Sequence, residues 1–128
     1  MWLKKGIKLL EETIGEGSEV LRLHYYILAI RITLNKGEVV TSPDKCLGYS
    51  GYDRKICDDG FFEHCVRIHR ENHVSGIYYS IQGMKVGGYR KVSISPHMAY
   101  RENGISGVIP PNAKLTVEIK VLSEANLS

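Results

Sequence analysis

Residues Gly83 to Leu122 read GMKVGGYRKVSISPHMAYRENGISGVIPPNAKLTVEIKVL. Its last part alternates apolar and polar residues: Leu115, Val117, Ile119 and Val121 share one face, Thr116, Glu118 and Lys120 the other. That is the period of a half-buried β-strand. A second strand, Arg90 to Ser95, buries Val92 and Ile94 and is stopped by Pro96, which cannot donate to a ladder. The loop between them holds Tyr100, Gly104, Gly107, the apolar pair Val108-Ile109, and Pro110-Pro111. A stiff loop beside a sheet, with one tyrosine and an apolar rim, suits the mouth of an apolar pocket.

Upstream, Ser75 to Gln82 reads as one short helix, with Ser75 as its cap and Ile77, Ile81 and Met84 at helical spacing. His64 to Ile68 reads as a short strand. Pro43 to Glu63 is a polar stretch rich in Gly and Tyr, and its Asp58-Asp59-Gly60 signals a turn and a hairpin. Val20 to Leu34, without Gly or Pro and rich in β-branched and aromatic residues, is expected to be a long strand reversed at Asn35-Lys36-Gly37. Gly6 to Thr13 reads as an edge strand.

The 128 residues suit a single domain spanning 1–128, with 43% hydrophobic and 24% charged residues typical of globular chains. A net charge of +3 without a basic run gives no support to nucleic-acid binding. Three cysteines, an odd number, exclude a fully paired disulfide framework and fit reduced thiols. No signal-peptide pattern opens the chain and no segment could span a bilayer, so a cytoplasmic location is expected.

The Gly83–Leu122 stretch closely resembles the C-terminal half of FKBP-type peptidyl-prolyl cis-trans isomerases. Gly83, Met84, Val86, Gly87, Gly88, Arg90 and Lys91 match the family's first turn and strand. Ile94, Pro96, Ala99, Tyr100, Ile109, Pro110, Pro111, Ala113 and Leu115 then follow its I-x-P-x-x-A-Y and I-P-P-x-A-x-L order. Before residue 74 the match is patchy, and residues 43–63 form an insertion. The resemblance implies an α+β fold: a twisted antiparallel sheet of five or six strands wrapped around one short helix. It implies rotation of X-Pro peptide bonds in a proline-containing peptide or protein, assisting protein folding, with no cofactor and no metal.

Carried over by resemblance, Tyr100 donates its hydroxyl to the substrate carbonyl, Tyr25 is an aromatic wall, and Val74 offers a backbone N–H. Ile77 forms the floor and Ile109 the rim. Val40 and Thr41 replace the family's Phe-Asp, His64-Cys65-Val66 stands for F-x-F, and Val117 stands where the closing strand places Phe. Thr41 takes over part of the lost carboxylate's role as acceptor for Tyr25. A groove so stripped of aromatic lining is expected to be weak or selective. The alternative is a non-catalytic binding module that uses the insertion to hold a protein partner or small molecule. Tyr25 and Tyr100 would then be satisfied core tyrosines. His64, Cys65, His69, His73 and Cys57 carry metal-binding chemistry, but a strand-then-loop placement scatters them. Tyr78-Tyr79 with Tyr49, Tyr52 and Tyr89 are candidates for an aromatic partner surface, weighed against scattered half-buried tyrosines.

Overall fold

The computed structural model describes residues 1–47 and 52–125. Seven strands form one sheet: β1 Trp2–Lys4, β2 Ile7–Thr13, β3 Tyr25–Leu34, β4 Tyr52–Ile56, β5 Phe62–Arg67, β6 Tyr89–Ile94 and β7 Leu115–Ala125. Their spatial order is β1-β2-β6-β7-β3-β5-β4, and every neighbouring pair is antiparallel. Two α-helices accompany them, the single turn α1, Pro43–Cys46, and α2, Ser75–Ile81. Among the described residues no helix is long and apolar enough to cross a membrane.

The α+β architecture with one main helix is the expected one, but the sheet is broader than five or six strands. The additional strands are the short β1 and β4. Because β1 pairs outside β2, the Gly6–Thr13 segment is not the edge. β4 comes from the 43–63 insertion and forms a hairpin with β5. Its turn, Asp58-Asp59-Gly60, is closed by Gly60 N–H on the Cys57 carbonyl (3.0 Å), with Gly60 at φ 88°.

The alternation in the closing strand decides which face is buried. Leu115, Val117, Ile119 and Val121 of β7 lie opposite Leu34, Ile32, Ile30 and Leu28 of β3, and all eight face the helix side except that Leu34 is only half-buried. Val92 and Ile94 of β6 extend this face. The opposite face is polar but not bare. Arg31 donates to both carboxylate oxygens of Glu118 (2.8 and 2.9 Å), and the Tyr89 hydroxyl donates to Glu118 as well (2.8 Å). Burial works against the Glu118 charge, but these bonds to Arg31 and Tyr89 outweigh it and hold its carboxyl below the ordinary value. Phe61 is buried beneath the Arg31 guanidinium and the Lys120 ammonium.

Two expectations for local structure are corrected. The strand expected from Val20 begins only at Tyr25, because Leu23 adopts φ 73° and its N–H turns to the Ile68 carbonyl (2.7 Å). Ser75 is not the cap of α2. Val74 is, without a side-chain capping bond, so Ser75 starts the helix instead. Helix α2 can lie close to β6 because position 76 has no side chain. A Cβ there would collide with Ile94 and the Met98 carbonyl. Gly76→Ala is therefore expected to destabilise the domain by about 1–3 kcal/mol. A shift in denaturant midpoint measures this, and an unchanged midpoint would refute the close approach.

Candidate functional site

Strand parity selects which residues reach the space between sheet and helix. On β3, Tyr26, Leu28, Ile30 and Ile32 share the buried inner face; Tyr25, Ile27 and the small Ala29 alternate with them on the other. Tyr25 is thus not a wall of the groove. It lies on the outer face, its ring 6.3 Å from that of Tyr52. The aromatic wall is Tyr26, one residue later, fully buried and accepting the Leu21 N–H at its hydroxyl (2.9 Å). Thr41 is corrected with Tyr25, since it is exposed and its proposed phenol partner is on the other side of the sheet. Val40, one residue before it, is buried and pairs its N–H with the Ile32 carbonyl (2.8 Å).

The remaining candidates converge. Val40, Ile77, Ile109 and Val117 share one buried cluster with Tyr26 and Phe62, and Val74 and Tyr100 pack against it. Val117 is completely buried opposite Ile32 and Val92. On β5, Phe62, His64 and Val66 face inward, so both His64 and Val66 lie on the groove side and Phe62 adds an aromatic ring to it. At the start of α2, the Val74 carbonyl accepts from Tyr78, while the Val74 N–H has no backbone acceptor among the described residues. The Tyr100 loop is fixed by its own backbone: Gly104 N–H bonds the Tyr100 carbonyl (2.9 Å), and Ile105 and Ile109 pair with each other.

The space enclosed by these residues is filled. The Tyr100 hydroxyl donates to the backbone carbonyl of Cys46 at 2.6 Å. Pro43, Cys46 and Leu47 are buried, and Cys46 and Leu47 belong to the same cluster as Tyr26, Ile77 and Val117. Helix α1 packs on β3 and β4, and Arg54 of β4 reaches back to the Asp44 carbonyl (3.4 Å) with its guanidinium 4.8 Å from the Phe62 ring centre. Burial pushes the Tyr100 phenol well above its usual range. Burial, and then the charge of Asp44, push the Cys46 thiol up to about 11, so it stays a neutral, unreactive filler. An open recess of about 480 Å³ is lined by Leu34 and by Ile105, Val108, Ile109 and Pro110; neither Tyr100 nor Ile77 is part of its wall. Sequence reasoning missed Cys46 and Leu47 because a single helical turn has no periodicity to read.

His64 Nδ1, on the inward face of β5, and His73 Nε2 are buried without a hydrogen-bond partner among the described residues. Burial is the main cause that brings each imidazole down to about 4, with the neighbouring histidine's charge adding to it for His64. His64 and Cys65 face opposite sides of β5, so they do not converge on one ion. The tyrosines do not form one surface: Tyr78 is buried with its ring edge-on to Tyr79 at 5.3 Å, Tyr89 is bonded to Glu118, Tyr52 is exposed beside Tyr25, and Tyr49 lies outside the described residues.

Both histidines have folded values below the unfolded value, so the unfolded chain takes up protons first. Stability should therefore be constant above pH 6.5 and fall as the pH drops toward about 4. Denaturation midpoints between pH 7 and pH 5 are expected to show this loss, and His64→Leu to reduce it. A profile that His64→Leu leaves unaltered would remove His64 as a cause.

The model of the family described as FKBP-type peptidyl-prolyl cis-trans isomerase matches residues 50–122. The chain is 30% identical over 126 residues to the chloroplastic peptidyl-prolyl cis-trans isomerase FKBP16-4 of Arabidopsis thaliana, covering 94% of this chain and 49% of that protein. It is 34% identical over 106 residues to the peptidyl-prolyl cis-trans isomerase FKBP7 of Mus musculus, covering 67% and 49%. The chain thus spans about half the length of these relatives. The crystal structure of AtFKBP13 superposes with a TM-score of 0.73 at 22% identity, covering 94% of both chains, a likeness of fold alone. The matched family, together with a tyrosine-bearing loop closing the space between an antiparallel sheet and one short helix, makes this chain a member of the FKBP-type peptidyl-prolyl cis-trans isomerase family.

Proposed function

We propose that the domain catalyses cis-trans rotation of X-Pro peptide bonds in protein substrates and so assists their folding. The observation that carries this reading is the Tyr100 hydroxyl, buried at the groove and bonded to a backbone carbonyl, that of Cys46. A prolyl substrate presents the same chemical group. The barrier to rotation is the resonance of the planar amide, about 18–20 kcal/mol. An apolar wall of Tyr26, Phe62, Ile77 and Ile109 strips water from the prolyl carbonyl, which disfavours the charge-separated planar form. Tyr100 and the N–H of Val74 supply the donors for the twisted form. No step needs a nucleophile, a base or a metal. A reducing compartment such as the cytoplasm belongs to the same proposal, supported by three cysteines that form no disulfide.

The filled groove favours one second reading, a non-catalytic module in which the insertion engages a protein partner. A protease-free isomerisation assay on a proline-containing peptide separates the two. Wild type is expected to accelerate rotation, and Tyr100→Phe to lower kcat/KM by about tenfold, the value of one hydrogen bond in a desolvated site. Tyr25→Ala, on the outer face, should leave the rate unchanged. A folded wild type that gives no acceleration would favour the module.

A further inference from the structure

We propose that Ser42–Leu47 is an intramolecular occupant of the prolyl groove, an autoinhibitory segment that substrate must displace. The inference rests on the isomerase reading and adds a control to the same site. The Cys46 carbonyl takes the Tyr100 hydroxyl, and Cys46 and Leu47 are buried in the same hydrophobic cluster as Tyr26, Ile77, Ile109 and Val117. Substrate and α1 therefore cannot hold this donor and this space together. Yet α1 satisfies only half of what a peptide would: the second donor, Val74 N–H, has no backbone acceptor among the described residues. A peptide that engages both donors gains a bond that the resident segment lacks.

The mounting of α1 suits a part that leaves. It is a single helical turn, too short to be stable alone, and Ser42 makes no side-chain capping bond. It leads into β4, an outermost strand that pairs with β5 alone, through a register shift between Tyr52 and Lys55 with Asp53 at φ 53°. Short edge elements with irregular pairing are where local opening begins. Displacing α1 leaves the β3–β7 and β6–β7 ladders intact, and with them Val117, Ile77 and the Tyr100 loop. The groove would then be preformed behind its occupant, and measured affinity would be reduced by the fraction of molecules that are closed.

Leu47→Asp tests this, because a carboxylate cannot remain in the apolar cluster; Arg54→Ala, which removes the contact to the Asp44 carbonyl, is the second variant should the first misfold. Three quantities are read with one proline-containing tetrapeptide: its Kd, kcat/KM for its isomerisation, and hydrogen exchange at the Leu47 amide, which bonds the Pro43 carbonyl (3.0 Å). The expected result is peptide affinity and kcat/KM at least about tenfold higher in the variants. Peptide should also speed Leu47 exchange in wild type. Peptide that binds wild type while Leu47 stays protected, with catalysis unchanged or lower in both variants, overturns the occupant and leaves the isomerase reading standing. Tighter binding in the variants without catalysis by any form upholds the occupant and overturns the isomerase. Neither binding nor catalysis in any form overturns both.

Discussion

A folded interior does not keep an empty space the size of a side chain, because the atoms around it lose their contacts and nothing replaces them. That constraint explains the arrangement around Tyr100. Val40, Val117 and Ile77 are buried in one cluster with Tyr26 and Phe62, and Tyr100 packs against it. Cys46 and Leu47, from the neighbouring connection, are buried in the same cluster.

The same packing rule fixes the sheet. Leu28, Ile30 and Ile32 of β3 must face the helix because Val121, Ile119 and Val117 of β7 do, and a one-residue slip would turn all of them outward. Parity then leaves no freedom for the tyrosine pair: Tyr26 goes in and Tyr25 goes out. On the outer face, Glu118 would be costly to bury alone. The bidentate Arg31 and the Tyr89 hydroxyl neutralise that cost, and Arg31 with Lys120 covers Phe61. Both faces of the β3–β7 pair are therefore specified, one by apolar shape and one by charge.

Much of this was legible in the residues. The closing strand, the Arg90–Ser95 strand, the Tyr100 loop and the 75–82 helix each carry a period or a turn signal, and the Asp58-Asp59-Gly60 hairpin was visible too. Of the site, Tyr100, Val74, Ile77, Ile109, Val40 and Val117 lie together around one space. What failed did so where a single residue sets the outcome. Tyr25 and Tyr26 are adjacent aromatics, and only the strand's starting point decides which of them faces inward. That point depends on the positive φ of Leu23, which no leucine advertises. The fate of Pro43–Leu47 was not legible at all, since α1 is placed by β3 and β4 and by the Tyr100 hydroxyl, all distant from it in the chain or without a periodic signal.

Rotation about a prolyl bond asks little of a protein: a dry surface and two well-placed donors. No group here needs an unusual charge state for it, and neither the neutral thiol of Cys46 nor the neutral imidazoles of His64 and His73 have a part in the bond rotation. For such a reaction the quantity left to vary between members of a family is access. On the reading proposed above, access is set by a single helical turn preceding an edge strand, held by the Tyr100 phenol that would serve the reaction. Any substrate carbonyl that wins Tyr100 from Cys46 thereby removes the bond that holds α1 in the groove. Recognition and opening share one hydrogen bond, so a peptide that fits poorly against Ile77 and Ile109 gains nothing with which to open the site. Selectivity then follows from the competition itself rather than from a larger or more aromatic pocket.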